Sequence, residues 1–427
     1  MGRQRTTADG TAQLRQQLVQ LRLAGVQLQG NGKARVHGAS MPLHAVWWVN
    51  LQPFWWVLVG RGPHTGGMQI RIITDDFTSA TDGVAAFAQR GWPTAVAMGE
   101  AYDPTLPVLS ADTDSRLCAP EVAAQRVAAW AKQWATAPVL VKQFDSTLRG
   151  PFAAECASAW THSGKPRMLV VPSFPAAGRT MQHGEVLLHG TPVHRSAFGQ
   201  DPHNPVRHSG LLGYFAPVGI ALHLVATVGE AQAAFAAGHT AVALDIATDE
   251  ELQHAARQFV GDAGLLWAGS TGIVRALAQA LAPAQPVAPS PWRVSAAPWV
   301  LVGSVNPVSH AQAATLALAC PTVPLLLTRL VRSDPLTATQ ALVAQLAQAI
   351  QSGQCDGVVV TGGETAKALA QALGATQLRV LQDLEPGVPL CLMQVANQWV
   401  PLISKAGGFG DSHTLVRCAQ ALMKGQV

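Results

Sequence analysis

From Met68 to the C-terminus, short apolar runs alternate with amphipathic stretches, and this alternation restricts the fold more than any other feature of the chain. Residues 70–74, 138–142, 168–171, 241–245, 265–268, 299–302 and 356–360 each read as a strand. Between them the spacing turns helical: Val84, Phe87 and Ala88 make one stripe, with Gly91 placed to end the helix. Such alternation builds βαβ units on a parallel sheet, and ligands bind such sheets at the carboxyl ends of the strands. A chain of 427 residues exceeds what one core ordinarily supports. The Pro/Ala-rich run from Leu281 to Pro291 reads as a semi-rigid linker. The expectation is an α/β protein of two domains, 68–280 and 298–427, joined by a linker at 281–297. Each is a mostly parallel sheet flanked by helices, with the active site in the cleft between them.

Residues 1–67 read differently. A Gln- and Arg-rich start leads into an apolar run, about Leu43 to Gly60, crowded by Trp47, Trp48, Trp55 and Trp56. That run is near the lower limit for a membrane span, but Asn50, Gln52 and Pro53 interrupt it, and the polar stretch before it is unlike a signal peptide. An extension outside the fold is expected here, disordered or translated upstream of a start at Met68. Hydrophobic content of 48% with only 13% charged residues fits a soluble enzyme. A net charge of +4, with no basic tract interleaved with aromatics, argues against nucleic acid as the main partner. The six scattered cysteines form no Cys-x-x-Cys pair and suit a reduced, cytoplasmic protein. A homo-oligomer is left open.

Chemistry-bearing residues gather at the predicted strand ends. Asp75 and Asp76 follow the first strand, and a helix-capping run, Phe77-Thr78-Ser79-Ala80-Thr81, comes next. Two adjacent carboxylates repel unless solvated or matched by a cation or proton. Lys142, Asp145, Ser146, Thr147 and Arg149 follow another strand, and Asp112-Thr113-Asp114-Ser115-Arg116 repeats the same chemistry. Arg and Lys can hold a carboxylate, while Asp and Ser or Thr can bind sugar hydroxyls. In the second half, Gly362-Gly363-Glu364-Thr365 lies between a strand and a helix and can seat a phosphate. The loop Gly407-Gly408-Phe409-Gly410-Asp411 could wrap a nucleotide with it. There is no P-loop and no dinucleotide fingerprint. Five histidines (His183, His189, His194, His203, His208) lack the spacing of a zinc helix and read as a solvated loop. Ser270 is not in a nucleophile elbow.

In their order, these motifs resemble the four-carbon acid sugar kinase family from about Met68 onward. They are Asp75-Asp76-Phe-Thr-Ser-Ala80, Asp112–Arg116, Lys142 with Asp145–Gly150, Pro175-Ala-Ala-Gly-Arg179, Asp201-Pro-His-Asn-Pro205, Gly303-Ser304, Gly362–Thr365 and Gly407–Gly410. The resemblance implies an ATP-dependent kinase acting on the terminal hydroxyl of threonate, erythronate or 3-oxo-tetronate. It implies a substrate domain first and a nucleotide domain second. Asp76, Arg116, Lys142, Asp145 and Arg149 would contact substrate, with Asp75 shaping the turn or tuning its neighbour. Ser304, Gly362, Gly363, Glu364, Thr365 and Gly407 would line the ATP site. Two positions depart from the family's pattern: Ser79 where Gly is usual, and Asn306 where Ser is more usual.

The mechanism this implies uses Lys142, Arg116 and Arg149 to hold the substrate carboxylate, and Asp76, Asp145 or Asp411 as base. Mg²⁺ would bridge the ATP phosphates with Glu364 assisting through water. Other readings are a sugar-acid aldolase or dehydrogenase, or a non-catalytic sugar-acid sensor.

Overall fold

The computed structural model describes residues 26–29, 33–36, 39–42, 68–99, 102–201, 204–281, 298–328, 335–385 and 387–424. The chain divides into two compact units, residues 1–66 and 67–427. In the first, strands Val26–Gln29, Lys33–Val36 and Ala39–Pro42 pair antiparallel in that order. The tryptophan-rich run lies outside the described residues, as does the expected linker apart from Leu281, which ends the helix Thr271–Leu281.

The second unit is organised by one sheet. Its strands, in chain order, are β1 (Ile70–Thr74), β2 (Thr94–Ala97), β3 (Val108–Asp112), β4 (Val139–Gln143), β5 (Arg167–Val171), β6 (His223–Val225), β7 (Ala241–Leu244) and β8 (Leu265–Gly269). They continue as β9 (Trp299–Val302), β10 (Leu325–Leu327), β11 (Val358–Thr361), β12 (Gln377–Glu385), β13 (Val388–Val395) and β14 (Gln398–Lys405). The spatial order is β6-β7-β5-β8-β4-β1-β3-β2-β12-β13-β14-β11-β9-β10. The first eight pair in parallel throughout, and so do β14, β11, β9 and β10.

The mostly parallel α/β expectation holds, and the structure adds how the halves join. Strand β2 pairs antiparallel with β12, Ala95 opposite Arg379, so the sheet runs unbroken from one half to the other. Strands β12 to β14 form an antiparallel meander.

Burial on both faces explains why the runs are apolar rather than alternating. On β1, Ile70 and Ile72 join one core and Ile73 the other, as a period of two requires. The helix Phe77–Ala88 presents Ala80, Val84 and Phe87 to the same core as Ile70. It ends at Gln89, with Gly91 at φ +83° just beyond. The histidine-bearing segment includes a small antiparallel sheet, Arg179–Gln182, Glu185–Leu188 and Thr191–Pro192, and exposed His183 and His189 sit in the turns between its strands. Its short strands straddle left-handed His183, Gly184, His189 and Gly190, turn chemistry that the sequence signalled only as loop. No group of three or more metal-ligating side chains occurs among the described residues, and His203 lies outside them.

The candidate active site

Strands β3, β1 and β4 are neighbours, with Thr74 opposite Asp112 and Ile73 opposite Lys142. Their register delivers three loops to one place. The Asp75 carbonyl accepts from the backbone N–H of Ser115 at 2.9 Å and of Arg116 at 3.2 Å, tying the first two loops together. Asp114 at φ +51° and Leu148 at φ +63° hold unusual backbone conformations in these loops. Leu148 is buried and bulky, so its left-handed backbone marks strain kept by its surroundings.

The adjacent aspartates have different environments. Asp75 is buried, and Arg116 clamps it with a two-pronged contact, Nε to Oδ2 at 2.8 Å and Nη2 to Oδ1 at 2.9 Å. Asp76 is a fifth exposed and caps the helix Phe77–Ala88, its Oδ1 accepting from Ser79 N at 2.7 Å. Its Oδ2 accepts from Arg116 Nη1. Burial raises the Asp76 pKa; Arg116 opposes this and Asp75 adds to it. Ser79, the first departure, uses its hydroxyl to accept from Arg116 Nη2 at 3.0 Å.

Asp145 contrasts with Asp76. Burial disfavours its charge, but Arg116 and Arg149 more than compensate and hold it well below the usual carboxylate range. Arg149 Nε lies 2.8 Å from it, and Thr147 donates its hydroxyl. That makes Asp145 an anchor for cations and a poor proton acceptor. Asp411 is exposed, bonded to Arg417 Nη2 at 3.0 Å and to His413 N at 2.8 Å. Those bonds lower its pKa, which weakens it as a base in turn.

Lys142 is placed otherwise than expected. Its ammonium is fully buried behind the site, 2.9 Å from Glu155 Oε2 and donating to Gln143 O at 2.6 Å. Glu155, on the helix Phe152–Ser163, also accepts from Ser115 Oγ, which shares a 2.6 Å bond with Thr113 Oγ1. Sequence reasoning missed Glu155; a Glu among alanines in Phe-Ala-Ala-Glu-Cys-Ala-Ser-Ala was the available signal.

The second half repeats the arrangement. Strands β9, β11 and β14 are parallel neighbours, Val302 opposite Thr361 and Thr361 opposite Lys405. Their ends bring Ser304, Gly362 to Thr365 and Gly407 together. Gly362, at φ +97°, stands before the helix Gly363–Ala372 and supplies no side-chain cap, leaving the first-turn N–H groups for another acceptor. A Cβ on Gly407 would collide with Ser304, so the close approach of these loops needs glycine. Beneath the loop, Lys405 Nζ donates to the carbonyls of Ala406, Gly407 and Phe409, and Gln312 Nε2 to those of Phe409 and Asp411. Burial brings the Lys405 pKa down to about 8. Asn306, the second departure, caps the helix Pro307–Ala319 through Val308 N at 2.9 Å, a task Ser also performs.

The two halves touch. Lys367 Nζ lies 2.9 Å from both Asp112 Oδ2 and Asp114 Oδ1. A Cβ on Gly363 would strike Thr78, so the helix Gly363–Ala372 abuts the turn after Asp76. Burial raises the Glu364 pKa; Lys367 opposes this, and Asp114, Asp112 and Asp76 add to it. Arg275 joins Asp82 at 2.8 Å to Asp383 of β12 at 3.0 Å.

Residues 70–277 match the family described as sugar-binding N-terminal domain, and residues 333–415 the nucleotide-binding C-terminal domain. The chain is 30% identical over 405 residues to a D-threonate kinase of Bordetella bronchiseptica, covering 84% of this chain and 98% of that one. A D-threonate kinase of Cupriavidus necator is 31% identical, with 82% and 97% covered. A 3-oxo-tetronate kinase of Salmonella typhimurium is 25% identical, with 82% and 98% covered. A solved structure of a Haemophilus influenzae protein shares the fold at a TM-score of 0.65 and 18% identity, covering 83% of this chain and all of that one.

Proposed function

Because the chain belongs to the four-carbon acid sugar kinase family, we propose that it transfers the γ-phosphoryl group of ATP to the 4-hydroxyl of a four-carbon sugar acid. The observation that carries this reading is the junction of the halves: an uncapped helix N-terminus beside Thr78, with Lys367 of the same helix 2.9 Å from Asp112. A phosphate on that N-terminus would face a hydroxyl held by the Asp76 loop.

Phosphoryl transfer depends on positioning and charge neutralisation more than on covalent chemistry. The N–H groups after Gly362 would take phosphate oxygens, and Ser304 and Gly407 would flank the nucleotide. Asp76 would accept the hydroxyl proton as the new P–O bond forms. It is the more accessible of the adjacent aspartates, and its raised pKa suits it to proton transfer. Arg116 lets Asp75 and Asp76 coexist and orients Asp76. Asp145 and Arg149 would hold substrate hydroxyls, with Lys142 and Glu155 supporting the loops from behind. Mg²⁺ on the ATP phosphates would neutralise their charge, and Glu364 is the first-turn carboxylate suited to it through water.

The test is ADP release with threonate, erythronate and 3-oxo-tetronate, D-threonate first because two relatives bear that name. Acid-dependent ADP release with at least one of them supports the reading; release with none sinks it.

A further inference from the structure

Resting on the kinase reading, we infer that Arg179 is the residue that recognises the substrate's carboxylate. Four cations stand at or just beyond the carboxyl ends of β3, β4 and β5: Arg116, Lys142, Arg149 and Arg179. Three are already engaged: Arg116 by Asp75 and Asp76, Lys142 by Glu155, and Arg149 by Asp145 at 2.8 Å and Asp201 at 3.7 Å. A carboxylate ligand arriving at any of these would have to displace a protein carboxylate.

Arg179 differs. Among the described residues no carboxylate lies within ion-pair reach of it; Nη1 donates to the Ala177 carbonyl, and the buried Nε has no partner. Burial lowers its pKa, with Asp145 opposing and Arg149 adding to the shift. A half-buried guanidinium with an unpaired buried N–H is costly alone and gains most from a planar, two-oxygen anion.

The loop that carries it is built to hold it. Gly178, at φ +74°, ends the turn Pro175–Ala177, and its Cβ position is filled by the imidazole of His189. Phe174 and Arg179 exchange backbone hydrogen bonds at 2.8 and 3.0 Å, and Arg179 opens the small sheet opposite Leu188. The guanidinium thus springs from a fixed backbone. The acid end of the substrate would lie toward Arg179, and its 4-hydroxyl toward Asp76.

The test compares the full-length protein with Arg179→Met and Arg179→Lys, using the four-carbon acid turned over best and the matching tetritol, in which CH₂OH replaces the carboxylate. We expect Arg179→Met to lower kcat/KM for the acid about 10- to 150-fold. Its KM for ATP should stay within about twofold, and its preference for acid over tetritol should collapse by the same factor as kcat/KM. Arg179→Lys keeps the charge but not the fork, so it should fall in between, and it serves as the folded control if the Met variant fails to fold. An unchanged KM for the acid in either folded variant would overturn the assignment, as would equal losses on acid and tetritol. If the unmodified protein neither binds a four-carbon acid by calorimetry nor releases ADP with one, the kinase reading itself falls and takes this assignment with it.

Discussion

Lys367 lies 2.9 Å from Asp112, and this contact links the helix Gly363–Ala372 of the second half to the end of β3 in the first. Asp112 is only 5% exposed, so removing its cation leaves a buried carboxylate with an opposing charge lost. Lys367→Met should cost about 1–3 kcal/mol of stability. The check is the urea midpoint, which should fall with an unchanged slope. A midpoint equal to that of the parent protein would show that the halves do not depend on this bridge.

Asp76→Asn isolates chemistry from folding. Asn caps helices about as well as Asp, so the melting temperature should hardly move. With no proton acceptor, kcat should fall roughly 100- to 10,000-fold. In the parent protein the acid limb of the kcat/KM profile should lie above the ordinary carboxylate range, because burial favours the protonated form. A variant with near-normal kcat would transfer the base role elsewhere.

The buried pair Lys142–Glu155 separates support from contact. Each single change, Lys142→Met or Glu155→Gln, leaves an uncompensated charge and should cost about 3–5 kcal/mol. The double variant should recover much of that loss and much of the activity, as judged by denaturation and by kcat/KM for the acid. A stable double variant with no acid turnover would return Lys142 to the list of substrate-contacting residues.

Asp383 predicts a pH dependence. Burial and the neighbouring Asp82 raise its pKa to about 7 in the fold despite Arg275, from an ordinary value of 3.8. The folded state therefore binds this proton more tightly, so the contribution is complete below about pH 4 and is lost as pH rises through about 7. Asp383→Asn should remove that loss, gaining on the order of 1–3 kcal/mol relative to the parent between pH 4 and 7. Parallel stability curves for the two proteins would rule this out.

Much of this was legible in the sequence because parallel strands are buried on both faces and so read as unbroken apolar runs. β1 and β9 were placed to the residue, and the polar loops expected after β1, β4 and β11 do follow those strands. Strands β12 to β14 were not, since half-exposed antiparallel strands such as Gln-Leu-Arg-Val-Leu-Gln-Asp-Leu-Glu mix polar residues into the run. The β2–β12 pairing joins residues far apart in sequence and leaves no local mark. Residue types announced cations and carboxylates, but not which charge each would meet. Arg116 and Lys142 were both expected to hold substrate; the structure pairs Arg116 with Asp75 and Asp76 and buries Lys142 fully on Glu155, partners the sequence did not name. Partner choice depends on the three-dimensional register of loops, which spacing does not encode.

The most direct measurement is the position of the transferred phosphate, read by ³¹P–¹H correlation on the product made from ATP and the preferred four-carbon acid. The account predicts one phosphomonoester on C4, formed only when the acid is present and lost in Asp76→Asn. Phosphate on another carbon, or ATP hydrolysed with no phosphorylated acid, would contradict it.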